Sequence, residues 1–164
     1  NISWAFATTN ENESHPQLFK KIANHIIARN NLSDFNPQVL SNIAWAYATA
    51  DESHPRLFTK LADHINSHDN LDGFIPQNLS NMSWAYATAN ESHPDLFKKF
   101  ENHIVALNDL SEFKPLALSN LAWAYANAKE SHPKLFKKLA GHICALSNLD
   151  EFMPQSLSNI VWAY

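Results

Sequence analysis

Glycine is nearly missing from this chain, with two in 164 residues. A phosphate-cradling loop needs several glycines for positive φ and close backbone approach, so a glycine-rich nucleotide site is excluded. Cysteine is limited to Cys144, which rules out an intrachain disulfide and paired-cysteine zinc ligation and fits a reducing compartment. That cysteine takes the place held by Ile27, Asn66 and Val105 elsewhere in the chain, a neutral position. Arginine stands only at Arg29 and Arg56, and the net charge of −4 argues against nonspecific coating of nucleic acid. No apolar run nears the roughly 20 residues of a membrane span. No stretch alternates with the period of two that marks a half-buried strand. Apolar residues still make up 45% of the chain, enough for a folded, soluble core.

What the chain has is repetition. His-Pro recurs at His15, His54, His93 and His132, a step of 39 residues. Trp45, Trp84, Trp123 and Trp162 keep the same step, while Trp4 falls early because of a short insertion at 10–13. A fixed period of this size marks a solenoid built by stacking one small unit. The expected units are 1–36, 37–75, 76–114, 115–153 and the start of another at 154–164, about four helix pairs plus a terminal helix. Both ends fall inside a unit, so the sequence reads as a piece of a longer array.

Each unit predicts two helices. The first, helix A, opens at Pro37, where a fixed φ and a missing N–H suit the first helical position. Leu40, Ile43, Tyr47 and Ala50 then form an apolar stripe. A polar turn follows, with Ser53 or His54 as the cap before Pro55 opens helix B. Leu57, Phe58, Leu61, Ala62 and Ile65 give helix B its buried face. A polar loop closes the unit, and its leucine and phenylalanine (Leu71 and Phe74; Leu32/Phe35, Leu110/Phe113, Leu149/Phe152) are expected to plug the gap between neighbours. Two short helices cannot bury their apolar faces alone, so the units must stack. The expected fold is an all-α superhelical solenoid of antiparallel helix pairs.

Helix A carries a second stripe of a different kind. Gln38, Asn42, Trp45 and Thr49 align on one face, and return as Gln77/Asn81/Trp84/Thr88, Leu116/Asn120/Trp123/Asn127 and Gln155/Asn159/Trp162. An indole among amides is a platform on which a base can stack while its edges meet donors and acceptors. Packing competes with that use. Burying a large aromatic removes about 150–250 Å², on the order of 4–6 kcal/mol at about 25 cal/mol per Å², against about 1–3 kcal/mol for stacking one base. The tryptophans are therefore expected to be wedged between successive A helices, with the Ser-Asn pairs satisfying polar groups along the seam.

Residues identical in every unit cannot tell one base from another. Readers of a sequence would be variable positions: Val39, Asn78, Ala117 and Ser156 at the start of helix A, and Thr49, Thr88 and Asn127 at its end, with Asp51, Asn90 and Lys129 beyond. Ala44, Ser83, Ala122 and Val161 vary only among small residues, which reads as packing against helix B. Lysines recur on helix B, and Lys21, Lys60, Lys99 and Lys138 are candidates for a basic ridge along a phosphate backbone; a solvated outer face is the plainer account.

Nine histidines raise the question of metal or catalysis. Eight belong to the repeat, one set before helix B and one set within it, at opposite ends of the helix and about 15 Å apart. That distance is too long for a shared ion. No HExxH or Asp-rich loop occurs, and any catalytic set proposed in one unit is copied in the others. No cofactor, metal or enzymatic activity is expected.

The stretch from Phe35 to Ala48, with Pro37-Gln38, Ser41-Asn42 and Trp45-Ala46, resembles the octotricopeptide repeat and its heptatricopeptide and RAP-associated relatives. The motif returns at Pro76-Gln77, Ser80-Asn81 and Trp84-Ala85, and at Pro154-Gln155, Ser158-Asn159 and Trp162-Ala163. Unit three departs with Leu116, and Ser-His-Pro-x-Leu-Phe stands where the algal members carry a proline-rich second-helix motif. The resemblance implies an organellar α-solenoid, in a chloroplast or mitochondrion, that binds single-stranded RNA to govern its stability, processing or translation. Some relatives are instead structural parts of large organellar complexes, so a protein-binding scaffold is the alternative.

Overall fold

The computed structural model describes residues 15–52, 54–128 and 131–164, and these form an all-helical repeat solenoid. Trp4, the insertion at 10–13, Ser53 and Lys129 lie outside the described residues. The B helices are α1 (Pro16–Ile27), α3 (Pro55–Asn66), α5 (Pro94–Ala106) and α7 (Pro133–Ala145). The A helices are α2 (Pro37–Thr49), α4 (Pro76–Thr88), α6 (Pro115–Asn127) and α8 (Pro154–Ala163). Every one opens on a proline, as a residue with fixed φ and no donor to satisfy should.

The turns between A and B close by a shared device. Asp51 and Asn90 adopt φ of 54°, the left-handed conformation that Asp and Asn tolerate better than most residues. The next amides, of Glu52 and Glu91, donate back to the Tyr47 and Tyr86 carbonyls at 3.1 and 2.9 Å, which satisfies the helix end. His54 is the cap residue of α3, but its side chain makes no capping bond; proline supplies the start instead.

The A helices form one layer, each packed closely on the next, and the B helices form the other. Leu40, Ile43 and Tyr47 are buried, as are Leu57, Phe58, Leu61, Ala62 and Ile65. The loop leucines Leu32, Leu71 and Leu110 are fully enclosed with Phe74, Phe113 and Phe152, filling the gaps between units. Leu149, in the last loop, is exposed.

A tyrosine ties each A helix to the preceding B helix. The Tyr47, Tyr86, Tyr125 and Tyr164 hydroxyls donate to the carbonyls of Phe19, Phe58, Phe97 and Phe136 at 2.7, 2.7, 2.8 and 2.8 Å. Each tyrosine ring also meets the same phenylalanine edge-on, with centroids 4.9–5.2 Å apart. Burial pushes the Tyr47, Tyr86 and Tyr125 hydroxyls well above their ordinary pKa, so they stay protonated donors.

Ala44, Ser83 and Ala122 pack differently from the expectation. Asn78 reaches across from α4 to donate to Ser41 of α2 at 3.3 Å, so the Ser41 face of an A helix looks at the next A helix. Ala44 lies one turn further along that face. The small side chains there let A helices approach each other, not helix B. Val161, the same position in α8, is 78% exposed because no described helix follows it.

One buried site breaks the repeat. Glu101 stands where the other B helices carry Ala23, Ala62 and Ala140. It is 1% exposed, bonded by the Lys98 ammonium at 2.7 Å and the His132 Nδ1 at 3.2 Å. Burial pushes its carboxyl up, but these two donors more than offset that and hold it below the ordinary glutamate value. The far atoms, Glu101 Oε1 and His132 Nε2, find no partner among the described residues.

Two stability tests follow from this packing. Tyr86→Phe removes one tie and keeps the ring, so chemical denaturation should show a loss of about 1 kcal/mol; no loss would mean the hydroxyl bond contributes nothing. Glu101→Ala restores the residue of the other units, where histidine already sits beside alanine, and should hold or raise stability by up to about 2 kcal/mol. His132→Ala leaves the buried carboxylate without one of its donors and should cost about 3 kcal/mol.

Candidate functional site

The amide and indole stripe is the face that the A layer turns outward. In each A helix, tyrosine faces the B layer, and the tryptophan two residues earlier projects about 200° around the helix, to the opposite side. Gln38, Gln77 and Gln155 are exposed, as are Leu116, Thr49, Thr88 and Asn127. Asn42, Asn81, Asn120 and Asn159 are half-buried between them. The structure therefore brings together the shared candidates along one surface.

Trp45, Trp84 and Trp123 form a ladder down the middle of this surface. Successive ring centroids lie 6.4 and 6.5 Å apart at tilts of 32° and 35°. Each of these indoles is half-buried, resting on its neighbours and leaving part of its ring in solvent. Packing and exposure are thus not alternatives here, because each ring does both. Trp162, at the free end, is 60% exposed.

Ser41, Ser80 and Ser119 are buried and donate to the carbonyls three residues back, of Gln38, Gln77 and Leu116, at 3.0, 3.1 and 3.0 Å. They hold the helix start and do not face outward. The asparagine of each pair is free of such ties in α4 and α6: among the described residues no hydrogen bond engages the Asn81 or Asn120 amide. Asn159 accepts from Gln155 at 2.9 Å. Asn127 donates to the Trp123 carbonyl at 2.8 Å, one turn back.

Four expected readers are misplaced for that role. Asn78, Ala117 and Ser156 are buried, and Val39 is half-buried against the core. The reason is the seam between A helices: this position points into the neighbouring helix, where Asn78 is used up on Ser41 and on the Ile75 amide. A side chain held there cannot meet a ligand on the outer stripe. Only Thr49, Thr88 and Asn127 remain as exposed variable positions.

The basic ridge also has another employment. Lys99 donates to the carbonyls of Asn66 and His68 at the end of α3, the first at 3.0 Å. Lys138 does the same for Val105 and Leu107 at the end of α5, the first at 3.2 Å. A cation at a helix C-terminus satisfies orphan carbonyls and the negative end of the helix dipole. Lys21 is exposed and Lys60 half-buried at the matching positions. All four sit on B helices, the layer behind the indole ladder, so they do not line a groove with it. Periodicity on helix B could not show this, because the partner carbonyls belong to the preceding unit.

No residue on the outer stripe is charged: it is composed of Gln, Asn, Trp, Thr and one Leu. Among the described residues, no cluster of three metal-ligating side chains forms and no helix is long and apolar enough to cross a membrane. No family model, curated protein or solved structure matches the chain.

The lysine assignment has a direct check. Lys99→Met and Lys138→Met should each lower unfolding stability by about 1 kcal/mol, read in urea, while leaving any ligand affinity of the folded array unchanged. Unchanged stability together with weakened RNA binding would return these lysines to the phosphate role.

Proposed function

We propose that this chain is a binding array, with no chemistry of its own, whose A-helix face takes up single-stranded RNA in an organelle. The observation that carries this reading is the outward ladder of Trp45, Trp84 and Trp123 flanked by exposed amides. Aromatic faces hold unstacked bases, and Gln and Asn offer both donors and acceptors to their edges. The resemblance of the Pro-Gln, Ser-Asn and Trp-Ala motif to organellar RNA-binding repeats supports the same ligand. The arrangement advances about one nucleotide per unit.

The neutral face gives this binding an unusual character. With no cation on the stripe, few phosphate contacts form and few counterions are released, so affinity should fall only gently as salt rises. Base stacking and edge hydrogen bonds then supply most of the free energy.

A second reading, a scaffold that docks an extended polypeptide, is favoured by the same neutrality and by one distance. The indole spacing of 6.4–6.5 Å is close to the two-residue repeat of an extended strand, about 6.6–6.8 Å. Amides on that spacing could bond a peptide backbone.

Titration of labelled single-stranded RNA pools at low and high salt separates the two. The RNA reading predicts association at low salt, a shallow salt slope, and a loss of about 1–3 kcal/mol in Trp84→Ala. No association at low salt overturns it and leaves the polypeptide scaffold.

A further inference from the structure

The burial pattern constrains the ligand itself. A repeat array reads a varied sequence only if the residues it exposes vary from unit to unit, and here the most variable helix-A position is closed inside the seam. What remains outside is almost invariant. α2 and α4 present the same set, Gln, Asn, Trp and Thr, in the same order. α8 repeats Gln, Asn and Trp.

Resting on the RNA reading above, we propose that the array selects a repetitive single-stranded RNA, one base type recurring at successive units, with a single permissive register at α6. Identical surfaces at equal spacing have the same preference, so the best ligand presents the same base edge to each. A bidentate amide such as Gln or Asn can discriminate among bases by its pattern of one acceptor and two donors.

Unit three is the break in that pattern. Leu116 replaces glutamine and is 60% exposed, beside Ile75 at 57%. These two line the groove between α4 and α6 together with Gln77, Asn81 and Asn120. Leucine has no donor or acceptor, so at this register one of the edge contacts made by Gln38, Gln77 and Gln155 is lost. The base there stacks on the Trp123 region but is read less strictly. Asn127, in place of threonine, adds no free donor to compensate, since its amide nitrogen is bonded to the Trp123 carbonyl.

The test uses the whole chain and fluorescence anisotropy with labelled RNAs of equal length: homopolymers of A, of C and of U, and one mixed sequence. One homopolymer should bind at least about tenfold tighter than the mixed RNA, the discrimination expected from amide contacts at several registers. Leu116→Gln, an exposed change that restores the residue of the other units, should widen that preference several-fold. Binding of the mixed RNA as tightly as every homopolymer overturns the repetitive-ligand inference while leaving RNA binding standing. An unchanged preference in the folded Leu116→Gln protein overturns the assignment of α6 as the permissive register. Failure of every RNA to bind removes both this inference and the function on which it rests.

Discussion

A buried tyrosine hydroxyl on a backbone carbonyl of the preceding unit is the interaction on which the rest of this structure depends. A helix pair of this size has too little apolar surface to be stable alone, so the fold exists only if units meet in a fixed register. The Tyr47, Tyr86, Tyr125 and Tyr164 bonds set that register, each across 28 positions of sequence. A misaligned unit would strand a hydroxyl in an apolar interior, and that penalty makes the alignment selective. The lysine caps of Lys99 and Lys138 join the same neighbours at the B-helix ends.

Stacking in this manner uses up three sides of every A helix. One side meets helix B through the tyrosine, and two meet the flanking A helices through small residues such as Ala44, Ser83 and Ala122. A single narrow stripe is left for solvent. Its content is uncharged, and the lysines of the repeat are committed to the other layer. The chain's acidic balance and its candidate binding face are therefore separate matters, since the charges do not sit where a ligand would.

Much of this was legible in the sequence. The 39-residue step gives the solenoid, and each proline marks a helix start. The apolar periodicity picks out Leu57, Phe58, Leu61, Ala62 and Ile65 as the buried face of α3, and all five are buried. The outward stripe followed from the helical wheel. What did not follow was which flank of helix A the next helix covers. Val39 and Thr49 look equally variable and equally near the stripe, yet the seam takes the position of Val39 and leaves that of Thr49 open. Lysine periodicity likewise says that Lys60, Lys99 and Lys138 share a face, but a carbonyl in the preceding unit has no signature in side-chain pattern. Glu101 was visible as a break from alanine and went unread, although a lone acid at a buried repeat position is the signal that would have found its pair with His132.

The account stands on the claim that the ligand lies on the A-helix stripe. Ultraviolet cross-linking of bound RNA, followed by mass spectrometry of the peptides, locates the contact side chain by side chain. Adducts at Trp45, Trp84 and Trp123 are the predicted result. Adducts concentrated on the lysine-bearing outer faces of α3, α5 and α7, with the indoles unmodified, would contradict it.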